Sequence, residues 1–220
     1  MIEPELPAPF ARRASLWLIT LSMVLVIGLK SHPAPLPGVP WHLPGWAALA
    51  AGLALAWARE GNSRWARTST LLAWLIGVLF FTHIDGDTSD AHVLELVLML
   101  GVGVLLVPAM LARYWLKEPL DYRWLNGRWS LRMWLWLPAG FLLAFGFLWL
   151  YFNILTPTLH HSWPLPLTGE RSEAMWRLFW GCNFVGVWDE LAFINFVFVL
   201  LCRCFDHREA NFAQAVFFAS

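Results

Sequence analysis

Residues 176–205 read WRLFWGCNFVGVWDELAFINFVFVLLCRCF, a run that is apolar enough to lie in a membrane. Two acidic residues, Asp189 and Glu190, nevertheless stand side by side in it, and Glu190 lies halfway between Arg177 and Arg203. If those arginines mark the two faces of a bilayer, Glu190 lies near the midplane, where one acid costs about 2.5 to 3.5 kcal/mol on insertion scales. Intramembrane acids are rare and face a bundle interior or a watery cavity by default, so this pair is the predicted functional site.

The composition of the whole chain is that of a membrane protein. Of its 220 residues, 59% are hydrophobic and 14% are charged, whereas a soluble domain carries roughly 25% charged residues. The 16 tryptophans agree with this, because Trp is enriched at membrane interfaces. The formal net charge is zero, so the sequence shows no electrostatic footprint of nucleic-acid binding. Membrane lipids are therefore expected partners, and nucleic acid is not.

Apolar runs divide the chain into segments that could span the bilayer. A span needs about 20 mainly apolar residues, with a range of roughly 17 to 25. Breakers such as SHPAPLPGVP, REGNSR and DGDTSD separate the runs, which occupy residues 14–29, 43–58, 69–83, 92–113, 133–155 and 175–205. A further run starts at residue 211 and is too short to cross, so we expect the sequence to be a fragment. These runs predict an all-α protein, a polytopic transmembrane helical bundle with six complete spans and the start of a seventh.

The basic residues predict how these spans alternate. Twelve of the 15 Lys and Arg residues fall on the side that holds the N-terminus, and the other three are Lys30, Arg171 and Arg177. Because basic residues concentrate on the cytoplasmic side of membrane proteins, the N-terminus is predicted to be cytoplasmic. A cleaved signal peptide fits the first run poorly, since an acidic lead precedes it and SHPAPLPG is a poor cleavage site.

Helical spacing predicts which residues surround the acid pair. Residues three, four and seven apart share a face, so Asn183, Gly186 and Glu190 are predicted to line one stripe, which Phe193 continues. Asp189 lies on the neighbouring stripe. Two adjacent carboxyl groups in a low dielectric cannot both ionise cheaply, so one is expected to keep its proton near neutral pH. Such a carboxyl can activate water in a hydrolase, but the same pair could relay protons in a transporter or clamp helices together.

The sequence WDELAFIN, followed by FVFVLLCRCF and NFAQAVFFAS, resembles the CPBP family, the CAAX proteases and bacteriocin-processing (Abi-type) intramembrane endopeptidases. The first motif of that family, Glu-Glu-x-x-x-Arg, is matched by Asp189 and Glu190, and Phe193 matches the aromatic residue before the arginine. The resemblance implies an enzyme of a bacterial cytoplasmic membrane that cleaves a peptide or membrane-protein substrate. Asp189 and Glu190 would be its catalytic residues, and the mechanism needs no bound cofactor, although the sequence leaves a metal ion open.

The sequence departs from this family at three positions. Asp189 stands where the family has its first glutamate, Ile194 where it has arginine, and Asn195 where it has glycine. Asn195 is kept as a possible site-lining residue. A reacting group displaced by about 1 Å can lose roughly a hundredfold in rate, so the shorter Asp189 bears directly on catalysis. The family's histidine motifs would follow Ser220. The alternatives are therefore a non-catalytic immunity or interaction protein on the same scaffold, or a proton-coupled transporter.

The resemblance also suggests a division of the chain. Residues 1–132 form an N-terminal transmembrane region of four spans, and residues 133–220 form the region that resembles the CPBP family. Two other features are left with alternatives. Glu95 is expected either to reach the outer interface or to partner the acid pair. Cys202 and Cys204 are expected to be small buried hydrophobes, with lipidation near a membrane face as the alternative.

Overall fold

The computed structural model describes residues 9–30, 39–82, 89–117 and 184–220, together with residues 139, 142, 143, 146 and 150. Over this part of the chain all regular structure is helical, which confirms the predicted all-α class. Apart from the few helical residues between 139 and 150, the helices are α1 (Phe10–Gly28), α2 (His42–Glu60), α3 (Arg64–Phe81), α4 (Asp90–Leu116), α5 (Phe184–Cys202) and α6 (His207–Ala219).

Three of these helices are long and apolar enough to cross a membrane, which marks the chain as a membrane protein. They are α1 with 19 residues, α4 with 27 and α5 with 19. Helices α2 and α3 have 19 and 18 residues, but Trp, Gly and basic side chains dilute their apolar character. The predicted fifth span, residues 133–155, lies almost wholly outside the described residues. The count of six complete spans and the start of a seventh stays a prediction.

Local polar contacts set the ends of the helices. The Ser63 hydroxyl accepts a hydrogen bond from the Ala66 amide (3.2 Å) at the start of α3, as an N-cap should. The Asp206 carboxylate accepts hydrogen bonds from the Arg208 and Glu209 amides (both 2.9 Å) at the start of α6. Gly61 ends α2 with a φ of 57°, a backbone conformation that glycine adopts without steric cost. The breaker REGNSR therefore contains both the end of one helix and the beginning of the next.

Helices α1 and α2 pack closely through glycine. The Ser15 hydroxyl donates a hydrogen bond to the Gly52 carbonyl (2.7 Å), which shows how near the two backbones come. A Cβ atom added at Gly52 would lie 2.9 Å from Ile19 Cγ1, and one added at Gly45 would lie 2.6 Å from Val26 Cγ2. Small residues that let helix backbones approach are a common device of membrane helix pairs.

Two successive arginines join α1 to two other helices. The Arg12 guanidinium donates to both carboxylate oxygens of Glu60 at the end of α2, at 2.7 and 3.0 Å. Arg13 Nε lies 2.6 Å from the Glu209 carboxylate in the first turn of α6. The start of α1 is therefore level with the end of α2 and the start of α6.

Further arginines mark this same end of the helices, which we call the arginine-rich end (Arg12, Arg13, Arg64, Arg67 and Arg203). Arg67 Nη1 donates to the Trp115 carbonyl near the end of α4 (2.9 Å), and Arg64 Nη1 donates to the Arg203 carbonyl just beyond α5 (3.5 Å). The charge count predicted that all five of these arginines lie on one side of the membrane, and here they gather at one end.

The opposite end of the same helices carries Lys30 and aromatic rings. Lys30 Nζ donates to the Phe80 carbonyl (2.6 Å) and lies 5.1 Å from the centre of the Phe80 ring. The rings of His42 and Trp46, from the first turns of α2, lie 5.6 and 5.4 Å from that of Phe80. Helices α1, α2 and α3 therefore alternate in direction, with Lys30 at the end away from the arginines.

The chain divides into two compact units. Residues Met1–Asp121 and Met175–Ser220 form the first, and residues Tyr122–Ala174 form the second. Helices α1 to α6 all belong to the first unit. The predicted boundary between residues 132 and 133 rests on the family resemblance and stays a prediction.

Candidate acid site on helix α5

The acid pair lies inside the apolar helix α5. Asp189 immediately precedes a π-helical segment, Glu190–Phe198, and Cys202 ends the helix. Glu190 is twelve residues from Cys202, which corresponds to a distance on the order of 15–20 Å along the axis. That is about half of the roughly 30 Å hydrocarbon thickness of a bilayer. The midplane depth expected from the flanking arginines stays a prediction.

The two carboxyl groups differ in exposure. Asp189 is half-buried and Glu190 is exposed. Within the described residues neither carboxyl group has a hydrogen bond or an ion pair. An ionisable side chain at this depth is costly unless it meets a partner, a proton or water. In a bilayer, access to water or to a proton would therefore decide whether the two carboxyl groups are ionised.

One side of α5 is anchored to its neighbours just beside the acids. The Trp188 indole donates a hydrogen bond to the Leu100 carbonyl in α4 (3.1 Å), and its ring meets that of Phe193 edge-on at 5.7 Å. The Phe193 ring also meets Phe218 in α6 edge-on at 5.6 Å. Trp188 was not singled out from the sequence, although a buried indole N–H needs an acceptor and so marks a packed position.

The other side of α5 displays Glu190. Gly186 and Ile194, four residues before and after it, are exposed as well. Among the described residues nothing lies within 4 Å of a Cβ atom added at Gly186. The predicted stripe of Gly186, Glu190 and Phe193 is thus divided, because Phe193 lies on the packed side with Trp188. The π-helical turn that begins at Glu190 contributes to this, since it is wider than the α-helical turn assumed in the prediction.

Asn195, a predicted site-lining residue, contacts the backbone of Glu190. Its side-chain amide donates a hydrogen bond to the Glu190 backbone carbonyl (3.2 Å), five residues earlier. Asn183, the remaining predicted lining residue, lies outside the described residues. π-Helical segments also occur in α1 and α4, so this geometry alone does not distinguish the acid-bearing helix.

Glu95, the possible partner of the acid pair, lies beside a histidine of its own helix. The Glu95 carboxylate lies 3.9 Å from His92 Nδ1, one turn earlier in α4. Across the described residues no group of three or more His, Cys, Asp or Glu side chains could hold a metal ion. A cavity of about 470 Å³ opens between α1 and α6, with Val24, Gly28, Phe212 and Val216 in its wall, and neither Asp189 nor Glu190 lines it.

No protein-family model, curated protein or solved structure matches this chain. The resemblance to the CPBP family therefore rests on the residues Asp189, Glu190 and Phe193 and on the apolar helices around them. Chemically, this arrangement offers one exposed and one half-buried carboxyl group on consecutive residues. A carboxyl group can exchange a proton with a water molecule that reaches it, and among the described residues nothing covers Gly186, one turn before Glu190.

Proposed function

We propose that this chain is an intramembrane endopeptidase of the CPBP type that hydrolyses peptide bonds with Asp189 and Glu190. One observation carries the proposal: two adjacent carboxyl groups lie in an apolar helix with no partner among the described residues. A structural clamp would be expected to satisfy its acids with donors, because unpaired polar groups in lipid are costly. A water-activating pair needs the opposite, since its acids must be able to take up and release protons.

The proposed reaction follows from the two carboxyl groups. One carboxylate accepts a proton from a water molecule while the water oxygen attacks the carbonyl carbon of the substrate peptide. The resulting acid then gives this proton to the leaving amine as the carbon–nitrogen bond breaks. The resemblance assigns the water-activating role to Asp189, and the exposed Glu190 is the more accessible to water and substrate.

The enzyme would lie in a bacterial cytoplasmic membrane with six complete spans, the start of a seventh and its N-terminus in the cytoplasm. The gathering of five arginines at one end of the helices supports this orientation through the positive-inside rule. It can be tested with Lys30→Cys and Lys117→Cys in a background without native cysteines. A membrane-impermeant maleimide should label the first from the periplasmic side and the second only after permeabilisation.

Peptidase activity can be tested with the full natural chain in proteoliposomes and an internally quenched peptide library. Glu190→Gln should abolish cleavage, because an amide can neither take up nor release a proton and so cannot share the proton that Asp189 takes from water. Glu95→Gln is the matched control, since it removes an acid from another apolar helix, and it should leave cleavage unchanged. Asp189→Glu restores the family residue and should increase the rate. Equal cleavage by native chain and Glu190→Gln would reject the assignment.

A second candidate is a non-catalytic immunity or interaction protein, and one residue favours it. Ile194 occupies the position of the family's arginine and is exposed, so it supplies no cation to orient the acids. A proton-coupled transporter is the third candidate. Vesicles loaded with a pH-sensitive dye distinguish the three candidates. Proton flux that is lost in Glu190→Gln indicates transport. The absence of both proton flux and peptide cleavage indicates a non-catalytic protein.

A further inference from the structure

The turn between α5 and α6 brings a thiol and an imidazole together. Cys202 is the last residue of α5 and His207 is the first residue of α6. Cys202 Sγ lies 3.4 Å from His207 Nδ1. The turn is held by its backbone, since the amides of Cys204 and Phe205 both donate to the Leu201 carbonyl at 2.9 Å. The fold of the turn therefore holds the two residues close enough for their side chains to meet.

The two cysteines of this turn have different surroundings. Cys204 Sγ faces α3, where it lies 3.9 Å from the Thr68 hydroxyl. The Cys204 carbonyl accepts a hydrogen bond from Arg12 Nη1 (3.5 Å), which ties this residue into the arginine-rich end. Cys202 instead lies beside an exposed histidine, and its contact with that ring is open to the surroundings. Of these two half-buried cysteines, Cys202 is the one that lies beside a base.

We propose that Cys202 is an S-acylation site that accepts a long-chain acyl group from an acyl-coenzyme A thioester, with His207 as its base. A thiolate is the reactive form of cysteine. His207 Nδ1 takes the proton from Cys202 Sγ, and the sulfur attacks the thioester carbonyl carbon. A new carbon–sulfur bond forms as the bond to the coenzyme A sulfur breaks. The leaving thiolate takes the proton from the imidazolium, so no oxidant or reductant is required.

The location favours a long acyl chain. Cys202 ends a helix that is long and apolar enough to cross a membrane, so its thiol lies where that apolar surface stops. The Phe198 ring, one turn earlier, lies 6.3 Å from the His207 ring and provides apolar surface next to the pair. Arg203 and Arg208 flank the same turn, and guanidinium groups bind phosphates such as those of coenzyme A. This inference is independent of the proposed peptidase.

The site can be tested with the full chain in lipid vesicles and alkyne-tagged palmitoyl-coenzyme A. The native chain should take up a label that hydroxylamine releases, as a thioester does. Cys202→Ser should lose the label, while the matched control Cys204→Ser should be labelled at the native rate. Label that persists in Cys202→Ser, or that disappears in Cys204→Ser, would overturn the proposal. Cys202→Ala provides a second variant should the serine variant fail to fold.

The role of His207 has its own readout. A free thiol is only a few per cent ionised near pH 7, so His207→Gln should slow labelling by about tenfold there. Above pH ~8.5, where a thiol ionises without a base, the native chain and His207→Gln should be labelled at equal rates. The charged neighbours Arg203, Asp206 and Arg208 are unchanged in this variant. Slowing by the same factor at every pH would show a merely structural role and contradict the assignment of the base. Equal labelling by acetyl-coenzyme A would contradict the long-chain specificity.

Discussion

The α1–α2 pair and helix α5 use glycine in opposite ways. Gly45 and Gly52 are crowded by the side chains of α1, and a Cβ atom at either would lie within 3 Å of a neighbouring carbon. Gly186 in α5 has open space beside it within the described residues, and it lies one turn before Glu190. The same residue type thus allows close helix packing in one region and, among the described residues, borders open space near an acid in the other.

The two regions also treat charge differently. Glu60 at the end of α2 receives two hydrogen bonds from Arg12 and one from the Ser63 hydroxyl. Asp189 and Glu190 have no such partners among the described residues. Charges that stabilise a fold are paired, whereas acids that exchange protons must be left able to do so. We therefore expect substitutions around α1 and α2 to change stability and those at the acid pair to change activity.

The largest stability effect is expected at Gly52. Gly52→Leu places a side chain against Ile19 and the Ser15 carbonyl, 2.9 and 3.2 Å from the new Cβ, so the helices must separate. Overpacking of this kind costs about 1–3 kcal/mol, and sometimes more. Gly77→Leu is the matched control, because nothing described lies within 4 Å of its Cβ. Thermal unfolding followed by fluorescence-detected size exclusion compares the two, and equal midpoints would contradict the close packing.

A smaller loss of stability is expected from Arg12→Gln. The Glu60 side chain is only 12% exposed, so the variant leaves a largely buried carboxylate with fewer donors. The loss should be about 1–2 kcal/mol, below that of a fully buried pair because Arg12 itself is 29% exposed. Arg59→Gln, at an exposed neighbouring position, should change the unfolding midpoint little. The double variant Arg12→Gln/Glu60→Gln should lose less free energy of unfolding than the sum of the losses in the two single variants.

The sequence predicted the helices better than their contacts. The apolar runs locate α1 to α4, but the run at 69–83 misses the first turn of α3, because Arg64 and Arg67 are not apolar. The run from 211 likewise misses the start of α6, which the Asp206 cap places at His207. The count of basic residues on each side of the predicted spans indicated which helix ends lie together. Pairings such as Arg12 with Glu60 depend on which helices become neighbours, which apolar periodicity does not specify.

The candidate site was predicted in part for the same reason. The sequence alone draws attention to Asp189 and Glu190, because acids stand out in an apolar run. It could not predict that Phe193 turns to the packed side, since this depends on the π-helical turn at Glu190 and on contacts with α4 and α6. The Trp188 contact with Leu100 is likewise a tertiary feature.

The smallest effect is expected at Asp206, and it depends on pH. Hydrogen bonds from the Glu209 and Arg208 amides hold the pKa of the Asp206 carboxyl below its usual range. Its contribution to stability is therefore present above the unfolded pKa, roughly 3.9, and is lost as the pH falls through the lower folded pKa. Asp206→Asn keeps a good N-cap but should remove this dependence.

The difference between the native chain and Asp206→Asn isolates this contribution. Burial raises the pKa of Glu209, and the Asp206 carboxylate raises it further, so Asp206→Asn keeps the larger part of this slope of opposite sign. Unfolding measured between pH 3 and pH 6 should show the two stabilities converging as the pH falls. A constant difference across this range would show that the Asp206 carboxylate does not cap α6.

The most direct test of the account measures cleavage and stability on the same Glu190→Gln preparation in proteoliposomes. The Glu190 carboxyl is exposed and has no partner among the described residues. The unfolding free energy of the variant should therefore stay within about 0.5 kcal/mol of that of the native chain. Peptide cleavage by the native chain should be lost in the variant. Cleavage that continues at the native rate, or a variant that no longer folds, would contradict the assignment of Glu190 to function rather than to the scaffold.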